Sequence, residues 1–430
     1  MIVFIEGATV IDGKSDAPIA DAIIEIEDGV VRRIGPRGSF ESVADARRVD
    51  YAGRWIIPGI VNTHRHLYYG GGKEDTPLDT RTGPIAQNAK RLLFFGVTHV
   101  LSLGLDGLSM DAYLAEQEAG RTEGAKVMFA GFGSSSPGGW QTSPNLYRPT
   151  TPDEGREAVR GQLHRKPHVI KIWLDDDHGK LTKMSPDIYE AIIDEAHKHG
   201  LKAYCHMFYQ SDAKELMRRG IDVLAHSVYD EVVDDEFIEL ARQSGVTQIT
   251  TLVGHSQGVV YSGGDTSFLD HPDLKKVFPA EYITAKAGLE RAQTSVVRDT
   301  GGCCLNAPLV QKEVDVALKN AGRLAEAGIK IAHGTDGGHV FGLDDHREME
   351  LLVKAGISPM DAIRIGTLNG AELLGIDSRY GSLEPGKFAD FVVTSADPLA
   401  DITNTRQIAA VWVHGAEIDR EALATPDMRE

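Results

Sequence analysis

The sequence predicts an α/β protein: a (β/α)8 barrel of the TIM type with a small β-sandwich domain built from both chain ends. Through the middle of the chain, short apolar strands alternate with longer helical stretches, which is typical of βα units around a parallel sheet. Both chain ends instead show short strand-like runs separated by turn residues such as Asp28-Gly29 and Pro385-Gly386. The predicted domains are residues 1–53 with 379–430 for the β-sandwich and 54–378 for the barrel.

Eight apolar runs are the candidate barrel strands, and they cover residues 56–63, 97–103, 126–130, 169–173, 202–205, 223–225, 246–252 and 330–334. Helices are predicted between them at 186–198, 212–219 and 310–327. Ser185 and Ser211 are candidate N-caps of the first two helices. An open doubly wound sheet is the alternative, but Gly70-Gly71-Gly72 does not match the phosphate-binding loop that it would need.

The composition indicates an ordinary globular protein and says little about the substrate, which is expected to be a small molecule. With 45 basic and 63 acidic residues, the formal net charge of −18 disfavours nucleic acids and anionic membranes as partners. Cys205, Cys303 and Cys304 are too few for a disulfide framework and are predicted to be reduced thiols of a cytoplasmic protein. No apolar run approaches the roughly 18 residues needed to cross a bilayer, and no signal peptide is recognisable.

The polar residues of interest stand at the ends of the predicted strands. His64 and His66 end the first strand, and residues two apart on an extended chain face the same side. His206 ends the fifth strand, His226 the sixth, and Asp336 follows the eighth. Each histidine alone is a weak signal, whereas four imidazoles and a carboxylate together form a ligand set for Zn, with Mn, Co or Fe as alternatives.

These motifs resemble those of the amidohydrolase superfamily over almost the whole chain. Pro58-Gly59 before His64 and His66 is similar to the family's first-strand signature, and Gly334-Thr335-Asp336 is similar to its eighth-strand signature. The run at residues 381–390 is a specific family hallmark. Segments 202–206 and 220–226 are most similar to the branch of prolidases, Xaa-Arg carboxypeptidases and imidazolonepropionases. The resemblance implies a metal-dependent hydrolase and a homo-oligomer.

The resemblance also implies the roles of the strand-end residues. His64 and His66, with Asp336, would bind the more buried of two divalent metal ions, and His206 and His226 would bind the second. A water between the metals would be deprotonated near neutral pH.

Lys171 on the fourth strand matches a lysine that some members of the family carry as a carbamate, formed with CO2, that bridges the two metals. A surface lysine is the alternative interpretation. Because Ile170 and Ile172 bury this strand, the bridging role is favoured.

Catalytic roles are assigned to Asp336 and to two further residues, Tyr229 and His255. Asp336 would accept the proton of the attacking water and pass it to the leaving group. Tyr229, just past His226, and His255, past the seventh strand, could contact the oxyanion or the substrate. For Tyr229 and His255, the alternative of ordinary loop residues stays open.

The reaction that the sequence favours is hydrolysis of an amide, dipeptide, urea or carbamate C–N bond. Carboxyl-ester or lactone hydrolysis and the opening of a cyclic amide are alternatives. A mononuclear deaminase is less favoured, because the expected glutamate is missing from residues 207–210. A non-catalytic scaffold is least favoured, because all the expected ligands are present.

Three long connections, at 67–90, 131–168 and 253–308, are predicted to shape the pocket. Arg148 lies in the second of them. It is interpreted as a solvated loop residue rather than as a partner of a substrate carboxylate.

Overall fold

The computed structural model describes residues 1–41, 43, 46–67, 83–141, 143, 145–261, 264–284, 307–336 and 340–424. Outside the described residues lie Cys303, Cys304 and the Gly70–Gly72 run. Residues 68–82 of the predicted loop 67–90 and residues 285–306 of the predicted loop 253–308 also lie outside them. Cys205 is a buried free thiol, as predicted for a reduced cysteine.

The strands, in chain order, are β1 (Ile2–Glu6), β2 (Thr9–Val10), β3 (Ala22–Glu27), β4 (Val30–Pro36), β5 (Arg47–Asp50), β6 (Trp55–Pro58), β7 (Ile60–Arg65), β8 (Val97–Ser102), β9 (Lys126–Phe129), β10 (Val169–Leu174), β11 (Lys202–Met207), β12 (Val223–Ala225), β13 (Thr247–Ile249), β14 (Ile331–Ala332), β15 (Phe391–Thr394), β16 (Ile408–Val413) and β17 (Ala416–Glu417).

The helices are α1 (Pro84–Phe94), α2 (Leu108–Glu118), α3 (Pro152–Arg160), α4 (Pro186–Lys198), α5 (Gln210–Arg218), α6 (Asp235–Ser244), α7 (Leu252–Val260), α8 (Leu274–Val277), α9 (Ala307–Glu326), α10 (Leu343–Lys354), α11 (Pro359–Arg364), α12 (Gly370–Leu374) and α13 (Arg420–Leu423). Short 3-10 turns lie at Leu163–Arg165, Ser267–Asp270 and Ile402–Arg406, and a π-helical turn at Ile365–Asn369 joins α11 to α12.

The middle of the chain forms two parallel sheets in chain order, β7-β8-β9 and β10-β11-β12-β13-β14. All eight predicted strand positions therefore carry a strand. Backbone hydrogen bonds link the sheets at both edges: His168 N donates to Phe129 O (2.9 Å), and Thr63 N donates to His333 O (2.8 Å). This order is the one that the predicted barrel requires, and its closure along the full strands stays a prediction.

The helices between these strands follow from apolar spacing. In α4, Ile188, Ile192 and Ala196 recur every fourth residue and are buried in the main hydrophobic core. The strand β10 is buried at every position, as expected for a parallel strand covered on both faces. No helix in the described part of the chain is both long and apolar enough to cross a membrane.

Both chain ends contribute to a second region of β-structure. One sheet has the order β4-β3-β1-β5, and the other, β17-β16-β15-β6-β2, combines strands from both ends of the chain. Val3 and Ile24 of the first sheet share a hydrophobic cluster with Ile56, Phe391 and Trp412 of the second. The predicted mixing of the two chain ends is therefore observed, whereas the β-sandwich and the domain limits stay predictions.

The predicted first barrel strand, 56–63, is wrong as a single element. Gly59 divides it: β6 pairs antiparallel with β15, and β7 pairs parallel with β8. A Cβ atom at Gly59 would lie 2.5 Å from Cγ2 of Thr98, so the chain passes there only because this residue has no side chain.

Some predicted helix starts and strand ends also differ from those in the structure. The helix α5 begins at Gln210 with Tyr209 as N-cap, so the predicted Ser211 cap is wrong. Ser185 does stand at the N-cap of α4, but its hydroxyl bonds to the Asp187 carboxylate rather than to a backbone N–H. The predicted strand 246–252 ends at Ile249, because α7 begins three residues later.

Candidate active site

The side chains predicted as metal ligands meet at the carboxyl ends of the parallel strands. Asp336 Oδ1 lies 3.0 Å from Nε2 of His64 and 3.2 Å from Nε2 of His66, and Oδ2 lies 3.9 Å from Nδ1 of His226. One ligand atom each from His64, His226 and Asp336 lies within 4.8 Å of the others. Imidazole nitrogens and a carboxylate at this separation suit a divalent transition metal ion.

Lys171 is part of the same cluster. Its side chain is fully buried, and Nζ lies 3.5 Å from Nε2 of His64. The alternative of a surface lysine is therefore wrong. Burial lowers the pKa of Lys171 to about 8, so a neutral amine is accessible near neutral pH.

The protonation states of the cluster favour cation binding. Burial and the neighbouring Lys171 lower the pKa of His64 to about 3, and burial with the adjacent His206 lowers the pKa of His226 well below its usual value. Burial alone would raise the pKa of Asp336, but the His64 and His226 rings hold it well below its usual range. Neutral imidazoles beside an ionised carboxylate are the forms that bind a metal.

In the rings of His66 and His226, one nitrogen is held by a polar contact. Nδ1 of His66 lies 3.0 Å from the carbonyl oxygen of Gly104, and Nδ1 of His226 lies 2.7 Å from Oγ1 of Thr251. Contacts of this kind hold a ring in one orientation, and in His66 they leave Nε2, the nitrogen that faces Asp336, for a metal.

His206 joins the cluster through its neighbours. Its ring centre lies 4.3 Å from that of His226, while its Nε2 lies 3.0 Å from Oδ2 of Asp175. Sequence analysis missed Asp175. The signal was present, because Asp175 follows Lys171 by four residues and β-strand residues at even spacing point to the same face.

Three residues near the cluster have left-handed backbone conformations. The φ angles are +78° at His226, +45° at Thr251 and +57° at Asp336. Such angles are uncommon for residues other than glycine, and for the β-branched Thr251 they are strained. Each of the three follows a parallel strand, namely β12, β13 or β14, so the strain is concentrated where the strands deliver their polar side chains.

A cavity opens onto this cluster, and several predicted residues line it. Tyr229 and His255 are among its walls, with ring centres 3.9 Å apart in a stacked pair. Nε2 of His255 lies 2.8 Å from Oε2 of the buried Glu313, which the sequence did not indicate. Trp140 forms another wall and stacks on His206 at 5.3 Å. Tyr229 and His255 thus share a cavity with Asp336, and their catalytic roles stay predictions.

The interpretation of Arg148 as a solvated loop residue is wrong. Its guanidinium donates to the carbonyl oxygens of Ser136 (2.8 Å), Trp140 (3.3 Å) and Gln141. Arg148 therefore holds together the loop that carries Trp140.

Comparison with known proteins identifies the family. The Amidohydrolase family model matches residues 55–418. A 5-methylthioadenosine/S-adenosylhomocysteine deaminase of Symbiobacterium thermophilum is 25% identical over 91% of this chain and 85% of its own length. An imidazolonepropionase of the same organism is 24% identical over 89% of this chain and 85% of its own length.

Solved structures show the same fold. A putative prolidase from Bifidobacterium longum superposes with a TM-score of 0.77 at 26% identity and covers 98% of both chains. A Xaa-Pro dipeptidase with bound methionine superposes with a TM-score of 0.75 at 21% identity, over 97% of this chain and 100% of its own. Since the family model matches most of the chain, this protein belongs to the amidohydrolase family of enzymes, whose relatives named here act on C–N bonds.

Proposed function

We propose that this enzyme hydrolyses a C–N bond of a small molecule, in an amide, dipeptide, urea or carbamate, at a binuclear metal centre bridged by carboxylated Lys171. The observation that carries the proposal is the Lys171 amine, which is fully buried and 3.5 Å from Nε2 of His64. No carboxylate of the described residues lies within ion-pair distance of this amine. A buried ammonium without a directly bonded anion is costly even with the charge of Asp336 nearby, whereas a carbamate is an anion that can bridge two cations.

The remaining ligands divide between two metal positions. His64, His66 and Asp336 would hold one ion, and His206 and His226 would hold the other. When bound, the ions supply a hydroxide near neutral pH and polarise the scissile carbonyl. Zinc is the expected metal, and Mn, Co and Fe accept the same donors.

The protein's own groups would move the proton and hold the substrate. The ionised Asp336 would accept a proton from the attacking water and deliver it to the leaving amine. Tyr229 and His255 would contact the substrate, and the bond from His255 Nε2 to Glu313 leaves Nδ1 of that ring available. The aromatic walls, including Trp140, would exclude bulk water from the reacting bond.

The similar proteins support cleavage of a C–N bond in general terms. A putative prolidase is 26% identical over nearly the whole chain, and imidazolonepropionases recur among the curated relatives. Opening of a cyclic amide and hydrolysis of a carboxyl ester or lactone remain alternatives, because the same attack on a carbonyl would serve them.

Deamination is the second candidate, since one similar curated protein is a deaminase. Residues 207–210 contain no glutamate, but Asp175 places a carboxylate 3.0 Å from His206. Release of ammonia without cleavage of the substrate into two organic products would favour this reaction.

Metal content per chain tests the proposal. Protein purified without added metal should contain about two metal ions, and Lys171→Ala should contain clearly fewer, because the bridge is lost. Lys126→Ala, at an exposed lysine on β9, is the matched control.

The other outcomes point elsewhere. One metal per chain, unchanged in Lys171→Ala, would remove the bridge and bring mononuclear chemistry, including deamination, to the front. A well-folded protein that binds no metal would contradict the metal-dependent hydrolase altogether and favour a scaffold.

A further inference from the structure

The ring of His226 is held by a residue from the neighbouring strand end. Its Nδ1 lies 2.7 Å from Oγ1 of Thr251, and the two residues are only 4% and 1% exposed. With Nδ1–H donating to the hydroxyl oxygen, the lone pair of Nε2 is left for a metal. The contact with the threonine hydroxyl thus holds the ring in one orientation.

Thr251 occupies this position at a cost in backbone conformation. Its φ angle of +45° is left-handed, which a β-branched residue rarely adopts. Since such a conformation persists only when the surroundings enforce it, some other group must hold this corner of the chain.

The buried carboxylate of Glu348 supplies that hold. Its Oε1 accepts from the hydroxyl of Thr250 (2.7 Å) and from N of Leu252 (3.0 Å), and its Oε2 accepts from N of Val253 (2.7 Å). Glu348 is fully buried. These hydrogen bonds fix the backbone on both sides of Thr251, at the start of α7.

Glu348 lies on helix α10, and a neighbouring residue of that helix is hydrogen-bonded to the strand that carries His64. Three residues earlier, on the same face of that helix, Asp345 accepts from Nδ2 of Asn62 (2.7 Å) and lies 3.0 Å from Nε2 of His333. Asn62 in turn accepts from the backbone N of His64 (2.9 Å). The helix α10 thus braces both the strand that carries His64 and the corner that orients His226.

We propose that Thr251 is a positioning residue for His226 and that Glu348 keeps Thr251 in place, so that the two residues set how tightly the centre retains metal. This inference rests on the proposed function, because it takes His226 as a metal ligand.

Metal retention tests the inference. Each variant is equilibrated with a graded series of a chelator, and the remaining metal is measured by elemental analysis. In Thr251→Val, which keeps the shape and loses the hydroxyl, the apparent affinity should fall about 10- to 100-fold. Thr251→Ser should retain metal nearly as well as the unaltered protein. Thr405→Val is the control, since this buried threonine hydroxyl bonds to Ile402 O away from the site.

Glu348→Gln tests the second step. Its affinity for metal should also fall, and the double variant Thr251→Val/Glu348→Gln should fall no further than Thr251→Val, because Glu348 acts through Thr251. Unfolding of the metal-free proteins, followed by circular dichroism, separates this effect from loss of the fold. Thr251→Ala replaces the valine variant if that one does not fold.

The contrary results are distinct. If the unaltered protein binds metal and Thr251→Val holds it equally tightly, the role of Thr251 is overturned while the proposed function stands. Independent, multiplying effects in the double variant would overturn the role of Glu348. An unaltered protein without metal would overturn the proposed function and this inference together.

Discussion

Asp175 and Lys171 show how one strand can supply two kinds of polar group to a site. Lys171 lies within β10 and Asp175 directly follows the strand; both are buried, yet only the lysine lies next to His64. Asp175 instead contacts Nε2 of His206 at 3.0 Å and accepts from the backbone N of Asp177 at 2.9 Å. Burial alone would raise the pKa of Asp175, but the hydrogen bond and the charge of His206 outweigh it and lower the pKa below its usual value, so the carboxylate stays ionised and can hold the ring.

Replacing Asp175 with asparagine should therefore weaken the centre through His206. An amide can still contact the ring but no longer carries the charge, and we expect kcat/KM and metal affinity to fall about 10- to 100-fold. Steady-state kinetics and metal analysis check this, with Asp194→Asn on the exposed face of α4 as the control. Equal values for Asp175→Asn and Asp194→Asn would contradict a role for Asp175.

At the residue scale, the candidate ligands could be predicted from the sequence, but the groups that contact and orient them could not. His64, His206, His226 and Asp336 could be predicted because the carboxyl ends of parallel strands meet at one edge. Glu348 could not be predicted, because its partners at 250–253 are distant in the chain and only tertiary packing brings them together. The spacing of residues along the sequence cannot predict contacts between residues so far apart in the chain.

At the scale of elements, the apolar runs predicted where the strands lie, but they did not predict where a strand is interrupted. β12 was predicted with the bounds that the structure shows, since a short apolar run between polar residues has few other interpretations. β6 and β7 merged into one predicted strand because both are apolar, and only the packing of Gly59 against Thr98 reveals the break. A glycine within an apolar run does not by itself distinguish a continuous strand from a divided one.

Gly59→Ala should destabilise the protein by about 1–3 kcal/mol, since the added methyl group would overlap Thr98 in a packed interior. Chemical denaturation measures the change. Gly59→Ala/Thr98→Ala removes the overlapping atoms and should recover part of the loss relative to Thr98→Ala alone. If the alanine at position 59 costs the same with and without Thr98, the steric explanation is wrong.

At the scale of the whole molecule, the candidate ligands come from both parallel sheets. His64 lies at the end of β7 in the three-stranded sheet, and His66 directly follows that strand. Lys171 and His206 lie within β10 and β11 of the five-stranded sheet, and His226 directly follows β12. Two metal ions held by these groups and bridged by Lys171 would tie the two sheets together.

Removal of metal should therefore lower the thermal stability of the whole enzyme. At a free metal concentration one hundred times the Kd, binding contributes about 2.7 kcal/mol, so chelation should lower Tm by a few degrees and added metal should restore it. Calorimetry with and without chelator measures the shift, and Lys171→Ala should show a smaller one. A Tm that does not respond to chelation in metal-containing protein would contradict this coupling.

The pairing of β6 with β15 has a consequence for synthesis on the ribosome. These strands are neighbours in one sheet but lie almost the whole chain apart, on either side of the residues that form the site. A nascent chain therefore carries Trp55–Pro58 with one side open from the time that it emerges until Phe391–Thr394 follows, and an open strand edge invites wrong partners. Efficient production of the enzyme should accordingly depend on chaperones that shield this early segment until translation is nearly complete.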